Sequence, residues 1–146
     1  MNLYFIPFEP CHFGLVQDVD ENARKEAEGV DLLANAEKLK KAGPTRTLMD
    51  GQEAIACCGL LMISKTVAEV WVRMSKKVGP RAAKMLRDLM YDQIEEHHLL
   101  RAQAIGPVSW VKLPAWWSWI GMQCEGVLRK YGPNGEDYFM YSWVKE

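Results

Sequence analysis

The sequence predicts an α/β fold in which a mixed central sheet of about seven strands carries about four helices. Three observations predict it. Asp50-Gly51 is a strong hairpin signal lying between two apolar runs. The stretch EVWVRMSKKVGPRAAKML (69–86) changes its apolar period from that of a strand before Met74 to that of a helix from Gly79. A further apolar run follows that helix, so strand, helix and strand form one unit whose two strands should be parallel. At 146 residues the chain suits a single domain over 1–146 with a substantial core.

Taken in order, NLYFIPF (2–8) is a short apolar run closed by proline and reads as the first strand. Residues 11–41 are rich in Glu, Lys, Ala and Leu at helical spacing, with a break near Gly29. Two helices are expected there, the second over Asp31–Lys41 with Ala-Gly-Pro as its stop. Strands over Thr45–Met49 and Glu53–Ile63 flank the Asp-Gly turn, and TVAEVWVRM (66–74) is a third β-branched run. Together they read as an antiparallel meander. Ala82, Leu86, Leu89, Met90, Gln93 and His97 recur at helical spacing and define a helix over Gly79–His98, roughly 30 Å long. Pro80 sits in its first turn, where the missing N–H is harmless. LLRAQAI (99–105) is the next strand, KLPAWWSWIGM (112–122) a short helix ending at Gly121, and QCEGVLRKYG with YFMYSWVKE a terminal hairpin.

Composition narrows the classes. Hydrophobic residues are 49% and charged residues 25%, an ordinary globular balance. A net charge of -1 argues against a general nucleic-acid binder. No apolar run approaches the roughly 20 residues that span a bilayer, and the N-terminus lacks a basic leader. The four cysteines, Cys11, Cys57, Cys58 and Cys124, show neither a C-x-x-C pair nor a zinc pattern and read as reduced thiols in the cytoplasm. Glu95-Glu96-His97-His98 can be drawn as a metal site, but adjacent helical side chains diverge by about 100°, so no metal is expected. A helix end is expected there instead, with His97 toward the core and His98 exposed.

Three segments together resemble the GNAT acetyltransferases over nearly the whole chain. The turn in EVWVRMSKKVGPRAAKML is similar to the family's Q/R-x-x-G-x-G/A turn, with Lys76, Gly79 and Arg81 in its three slots. AWWSWIGMQCEGVLR resembles the late helix that ends in Gly-Phe before a strand bearing Glu-Gly, with Gly121-Met122 in the Gly-Phe slot. The closing hairpin is a frequent ending of small members. More narrowly, the pattern looks like small GNAT-like proteins of tailed bacteriophages, some of which are virion or assembly proteins. The resemblance implies an N-acetyltransferase using acetyl-CoA and an amine acceptor. It implies a location in the cytoplasm, or in the host cytoplasm or virion if phage-encoded.

The turn supports two readings. A helix N-terminus offers unpaired N–H groups and a partial positive charge, which favour a phosphate. Backbone donors would come from Val78, Gly79, Arg81 and Ala82, and charge from Lys76, Lys77 and the Arg81 fork. The resemblance adds a carbonyl-polarising N–H near Arg73 or Met74. Against this, only one of the family's two small residues survives, and Pro80 supplies no donor. The alternative is a plain helix start with solvated lysines.

Catalysis by this family needs a base for the ammonium. AEVWV is similar to the start of the fourth strand in histone-acetylating members, whose base is a glutamate there, and Glu69 takes that slot. A glutamate in an apolar strand should have a raised pKa. The alternative is a surface-facing glutamate on an alternating strand. The family's usual acid, a tyrosine four residues before the late glycine, is replaced by Trp117, whose indole is not an acid of useful pKa. Tyr131 and Tyr138 are not placed by the resemblance. Trp110, Trp116, Trp117 and Trp119 crowd one segment, so one or two are expected to be exposed, or at a contact with a protein partner or a second copy. Asp18, Asp20, Glu21, Glu26 and Glu28 would suit a cationic acceptor, or form an ordinary solvated helix face. Two functions follow from these readings: an acetyl-CoA-dependent N-acetyltransferase, or a catalytically inactive phage structural protein on the same fold.

Overall fold

A computed structural model describes residues 1–26 and 28–146; Ala27 and the side chains of Asn22 and Glu26 lie outside the description. The elements are β1 (Leu3–Pro7), α1 (His12–Leu15), α2 (Glu21–Glu26), α3 (Leu32–Ala42), β2 (Thr45–Asp50), β3 (Glu53–Met62), β4 (Val67–Met74), α4 (Pro80–Glu96), β5 (Arg101–Pro107), α5 (Leu113–Ile120), β6 (Gln123–Leu128) and β7 (Tyr138–Val144). The seven strands form one mixed sheet in the order β1-β2-β3-β4-β5-β7-β6. This is the expected class, with five helices among the described residues where about four were expected. The addition is α1. Its four residues are closed by His12 N–H donating to Glu9 O and Phe13 N–H to Pro10 O, and a single turn is too short to show a period.

The chain divides into two compact units, Met1–Met62 with Val70–Gln93 and Ile63–Glu69 with Ile94–Glu146. The first holds the antiparallel pairs β1 with β2 and β2 with β3. Asp50 pairs with Glu53, so the two turn residues are Gly51 and Gln52. Gly51 takes φ 61°, which a two-residue hairpin demands at its first central position. The expected helix Asp31–Lys41 is α3, with Asp31 outside it as the N-cap: its Oδ1 accepts the Ala34 N–H at 3.1 Å. The core of this unit is aromatic. Phe8, Phe13 and Trp71 meet edge to face, with ring centroids 5.6 to 5.7 Å apart. Arg73 lies over Phe13 and donates from Nε to Phe13 O at 3.1 Å and from Nη2 to Val16 O at 3.5 Å. Its side chain thus satisfies carbonyls that the end of α1 leaves unpaired.

In the second unit β4 and β5 are parallel, as the strand-helix-strand order predicts, with Val67, Ala68 and Glu69 beside Arg101, Ala102 and Gln103. The ladder stops there, and Val70–Met74 has no β5 partner among the described residues. β7 pairs antiparallel with both β5 and β6. In β6 the register shifts between Cys124 and Gly126, which makes Glu125 a bulge residue. α4 ends at Glu96 and not at His98, because His98 takes the left-handed conformation (φ 53°) that closes the helix. His97 is half-buried and His98 exposed. Within α5, Trp117 is buried and Trp119 is 44% exposed. No described helix is long and apolar enough to cross a membrane, and no group of three His, Cys, Asp or Glu among the described residues suits a metal.

Phe8 is 2% exposed and contacts both other rings of the cluster. Replacing it with alanine leaves a cavity and should cost about 3–5 kcal/mol, measured as a lower urea midpoint with an unchanged slope.

Candidate functional site

The turn from β4 to α4 is organised by Ser75, which is 4% exposed. Its N–H donates to Ile55 O at 2.9 Å, which ends β4 against β3. Its carbonyl accepts the Val78 N–H at 3.1 Å, and its hydroxyl accepts the Lys77 N–H at 3.1 Å. The Lys76 N–H donates to Asp18 O at 2.9 Å. Four consecutive amides, Ser75 to Val78, are therefore engaged inside the protein. Val78, expected as a phosphate donor, has its N–H committed to Ser75.

The next amides differ. Ala83 N–H donates to Gly79 O at 2.9 Å, so Gly79 is the helix N-cap and Pro80, Arg81 and Ala82 form the first turn. Pro80 has no N–H. The N–H groups of Gly79, Arg81 and Ala82 have no hydrogen-bond partner among the described residues. Ala82 is 0% exposed, so an outside acceptor reaches its N–H only if the turn opens around it. Gly79 has no internal reason to be glycine. Its φ lies outside the left-handed region, and a Cβ built on it meets nothing within 4 Å.

The charges around the turn are unequal. Lys77 Nζ pairs with Glu53 Oε1 at 2.6 Å, and that partner raises the ammonium's pKa. Lys76 and Arg81 are exposed and have no ion-pair partner among the described residues. Arg73 and Met74 end β4, with the Arg73 guanidinium turned to α1. The acidic segment is an exposed run in part: Glu21 pairs with Lys25, Asp18 and Glu28 are exposed, and the Glu26 side chain lies outside the described residues.

Glu69 belongs to the second unit. It is half-buried, and burial raises its pKa from the ordinary glutamate value, while Gln103 acts to lower it. This is the direction expected of a carboxylate in an apolar strand. Trp117 lies in α5. It is 4% exposed, its indole N–H has no partner among the described residues, and it carries no proton that can leave near neutral pH. Tyr131 is exposed, and its ring meets that of the buried Tyr138 at a tilt of 55°, with centroids 5.3 Å apart. Ser75 and Gln103 were not singled out by the sequence. A serine two residues before a backbone N–H is the signal of an ST-turn, and alternation in RAQAIGP puts Arg101 and Gln103 on one face.

Solved structures share this fold at low identity. Ard1 from Thermoplasma volcanium aligns with a TM-score of 0.82 at 12% identity, over 100% of this chain and 99% of its own. The ribosomal-protein-S18-alanine N-acetyltransferase from Escherichia coli gives 0.74 at 12%, over 97% and 93%. A GNAT family acetyltransferase from Elizabethkingia anophelis with acetyl-CoA bound gives 0.73 at 12%, over 99% of both chains. Neither a protein-family model nor a curated protein matches the sequence. The chain therefore has the GNAT acetyltransferase fold over its whole length.

Ser75→Ala removes the acceptor for the Lys77 amide and should lower stability by about 1 kcal/mol. Hydrogen exchange should show the Lys77 amide losing protection while Ala83 keeps its own.

Proposed function

We propose that the chain is an acyl-CoA-dependent N-acetyltransferase that moves the acetyl group of acetyl-CoA to an amine. The observation that carries this reading is the trio of unpartnered amides at Gly79, Arg81 and Ala82 around a glycine with open space at its Cα. A pyrophosphate fits this donor set: three N–H groups at a helix start, the absence of a Cβ, and the exposed cations Lys76 and Arg81 beside it. Lys77 supports the turn through Glu53. The backbone near Arg73 and Met74, beyond the end of the β5 ladder, would supply the donor to the thioester carbonyl.

Bound acetyl-CoA would supply an activated acyl group with a thiol as leaving group. An amine that took this acetyl group, with the thiolate as leaving group, would have to lose a proton. Glu69 is the group assigned to take it. Its raised pKa makes it a better proton acceptor than an ordinary carboxylate. Trp117 supplies no acid for a leaving thiolate, so a proton that reaches sulfur would come from solvent or be the one the attacking amine loses.

A second reading keeps the fold without the chemistry: a bacteriophage structural or virion-assembly protein acting through protein contacts. Trp119, exposed on α5 beside the buried Trp117, is the observation that favours it. Calorimetric titration with acetyl-CoA separates the two. The enzyme reading expects micromolar binding to the parent protein and none to Gly79→Glu, with the variant's melting temperature within a few degrees of the parent. No heat from the parent protein, with no thermal shift, removes the enzyme reading.

Glu69→Gln carries a second expectation. Acetyl transfer to an amine should fall by about 10²- to 10⁴-fold while acetyl-CoA affinity is kept, measured by thiol release. Stability should move the other way. An acid whose folded pKa is raised favours folding below its ordinary pKa, and that contribution is lost as pH rises through the raised value. Glu69→Gln should therefore melt above the parent at pH 7, and the gap should close below about pH 4.

A further inference from the structure

The parallel ladder sets Glu69 directly beside Gln103, on the same face of the sheet. The Gln103 side chain is oriented from its other side. Its Oε1 accepts from Arg101 Nε at 2.9 Å. A guanidinium has donors only, so the amide oxygen must face Arg101 and the NH₂ group is left for Glu69, its partner across the parallel ladder, whose charged form it favours. Arg101 is in turn gripped by Glu125: Nη1 donates to Oε2 at 2.9 Å and Nη2 to Oε1 at 2.6 Å. This forked pair is the stronger kind of ion pair, and it sits at the bulge of β6. Ser142 of β7 adds a hydrogen bond to the same carboxylate, which is held down to about 2. The chain of contacts runs from Glu125 through Arg101 and Gln103 to Glu69.

We propose that Gln103 is a positioning residue for Glu69, with its amide fixed in one orientation by the Arg101–Glu125 clamp, so that a neutral N–H and not a cation holds the proposed base. The proposal rests on the reading of Glu69 as the base. Its physical logic is a division of labour. A carboxylate needs a donor to hold it in one rotamer, yet a cation at that place would strip it of basicity. Arg101 is the nearby cation of this network. Glu125 neutralises it, and Gln103 passes on orientation without charge. The groups facing Glu69 from the network are Gln103 and Arg101 on β5, Glu125 on β6 and Ser142 on β7; of these, Arg101 and Glu125 are charged.

The test is the titration of the Glu69 side-chain carboxyl carbon by NMR in the full chain. Gln103→Met removes the donor and should raise the Glu69 midpoint by about one pH unit, a tenfold change in proton affinity. Glu125→Gln, a change at an exposed position, frees the Arg101 charge and should lower the midpoint. Opposite shifts from the two variants support the proposal, since general loosening of the sheet would not produce them. A midpoint unmoved in both variants, or moved the same way in both, overturns it. If Gln103→Met does not fold, Glu125→Gln decides alone: a downward shift supports the proposal and no shift overturns it. The acid limb of kcat/KM against pH, taken on the same variants, tests the base itself. If the NMR midpoint moves and that limb does not follow, the positioning contact stands and Glu69 is not the base.

Discussion

One buried serine sets the geometry of the candidate cofactor turn. Ser75 holds the end of β4 against Ile55, and its carbonyl and hydroxyl take up the amides of Val78 and Lys77. Every backbone donor between Ser75 and Val78 is thereby satisfied within the protein. The next donors, on Gly79, Arg81 and Ala82, are not. The boundary between used and unused amides coincides with the N-terminus of α4, where the helix dipole adds to the attraction for an anion. A loop that left all its amides loose would have to order itself on binding. Here the preceding half of the turn is already tied down, so less ordering cost falls on the ligand.

The second unit shows the same economy around a carboxylate. Glu69 is half-buried in a strand whose neighbour Ala68 is fully buried. That placement penalises its charge, and a single neutral donor on β5 offsets the penalty in part. Pairing with Arg101 would have been the more stabilising choice for the fold, and Arg101 is instead bound to Glu125.

Much of the architecture was legible in the sequence because it rests on local period. The hairpin between β2 and β3, the long helix from Pro80 and the parallel β4–β5 pair follow from turn chemistry, helical spacing and handedness, although the turn residues are Gly51 and Gln52 and not Asp50 and Gly51. The helix α1 was not legible, because four residues hold no period. The end of α4 was misread by two residues, since a histidine with φ 53° looks like a helical residue in the sequence. Gly79 and Glu69 could be named from pattern and family likeness. Their surroundings could not. That Asp18 O, Ser75 and Ile55 consume the amides before Gly79 is a matter of contacts 20 and 58 residues apart in two cases and of a side-chain rotamer in another. That Gln103 faces Glu69 depends on a strand register that appears only once the ladder is formed.

The most direct measurement of the central claim is an amide NMR titration of the chain with coenzyme A. If the unpartnered amides cradle the pyrophosphate, the signals of Gly79, Arg81 and Ala82 move strongly downfield together. Those of Lys76, Lys77 and Val78, already bonded to Asp18 and Ser75, move little. Saturation with coenzyme A that leaves the first three signals in place, or the absence of any perturbation in the turn, would contradict the account.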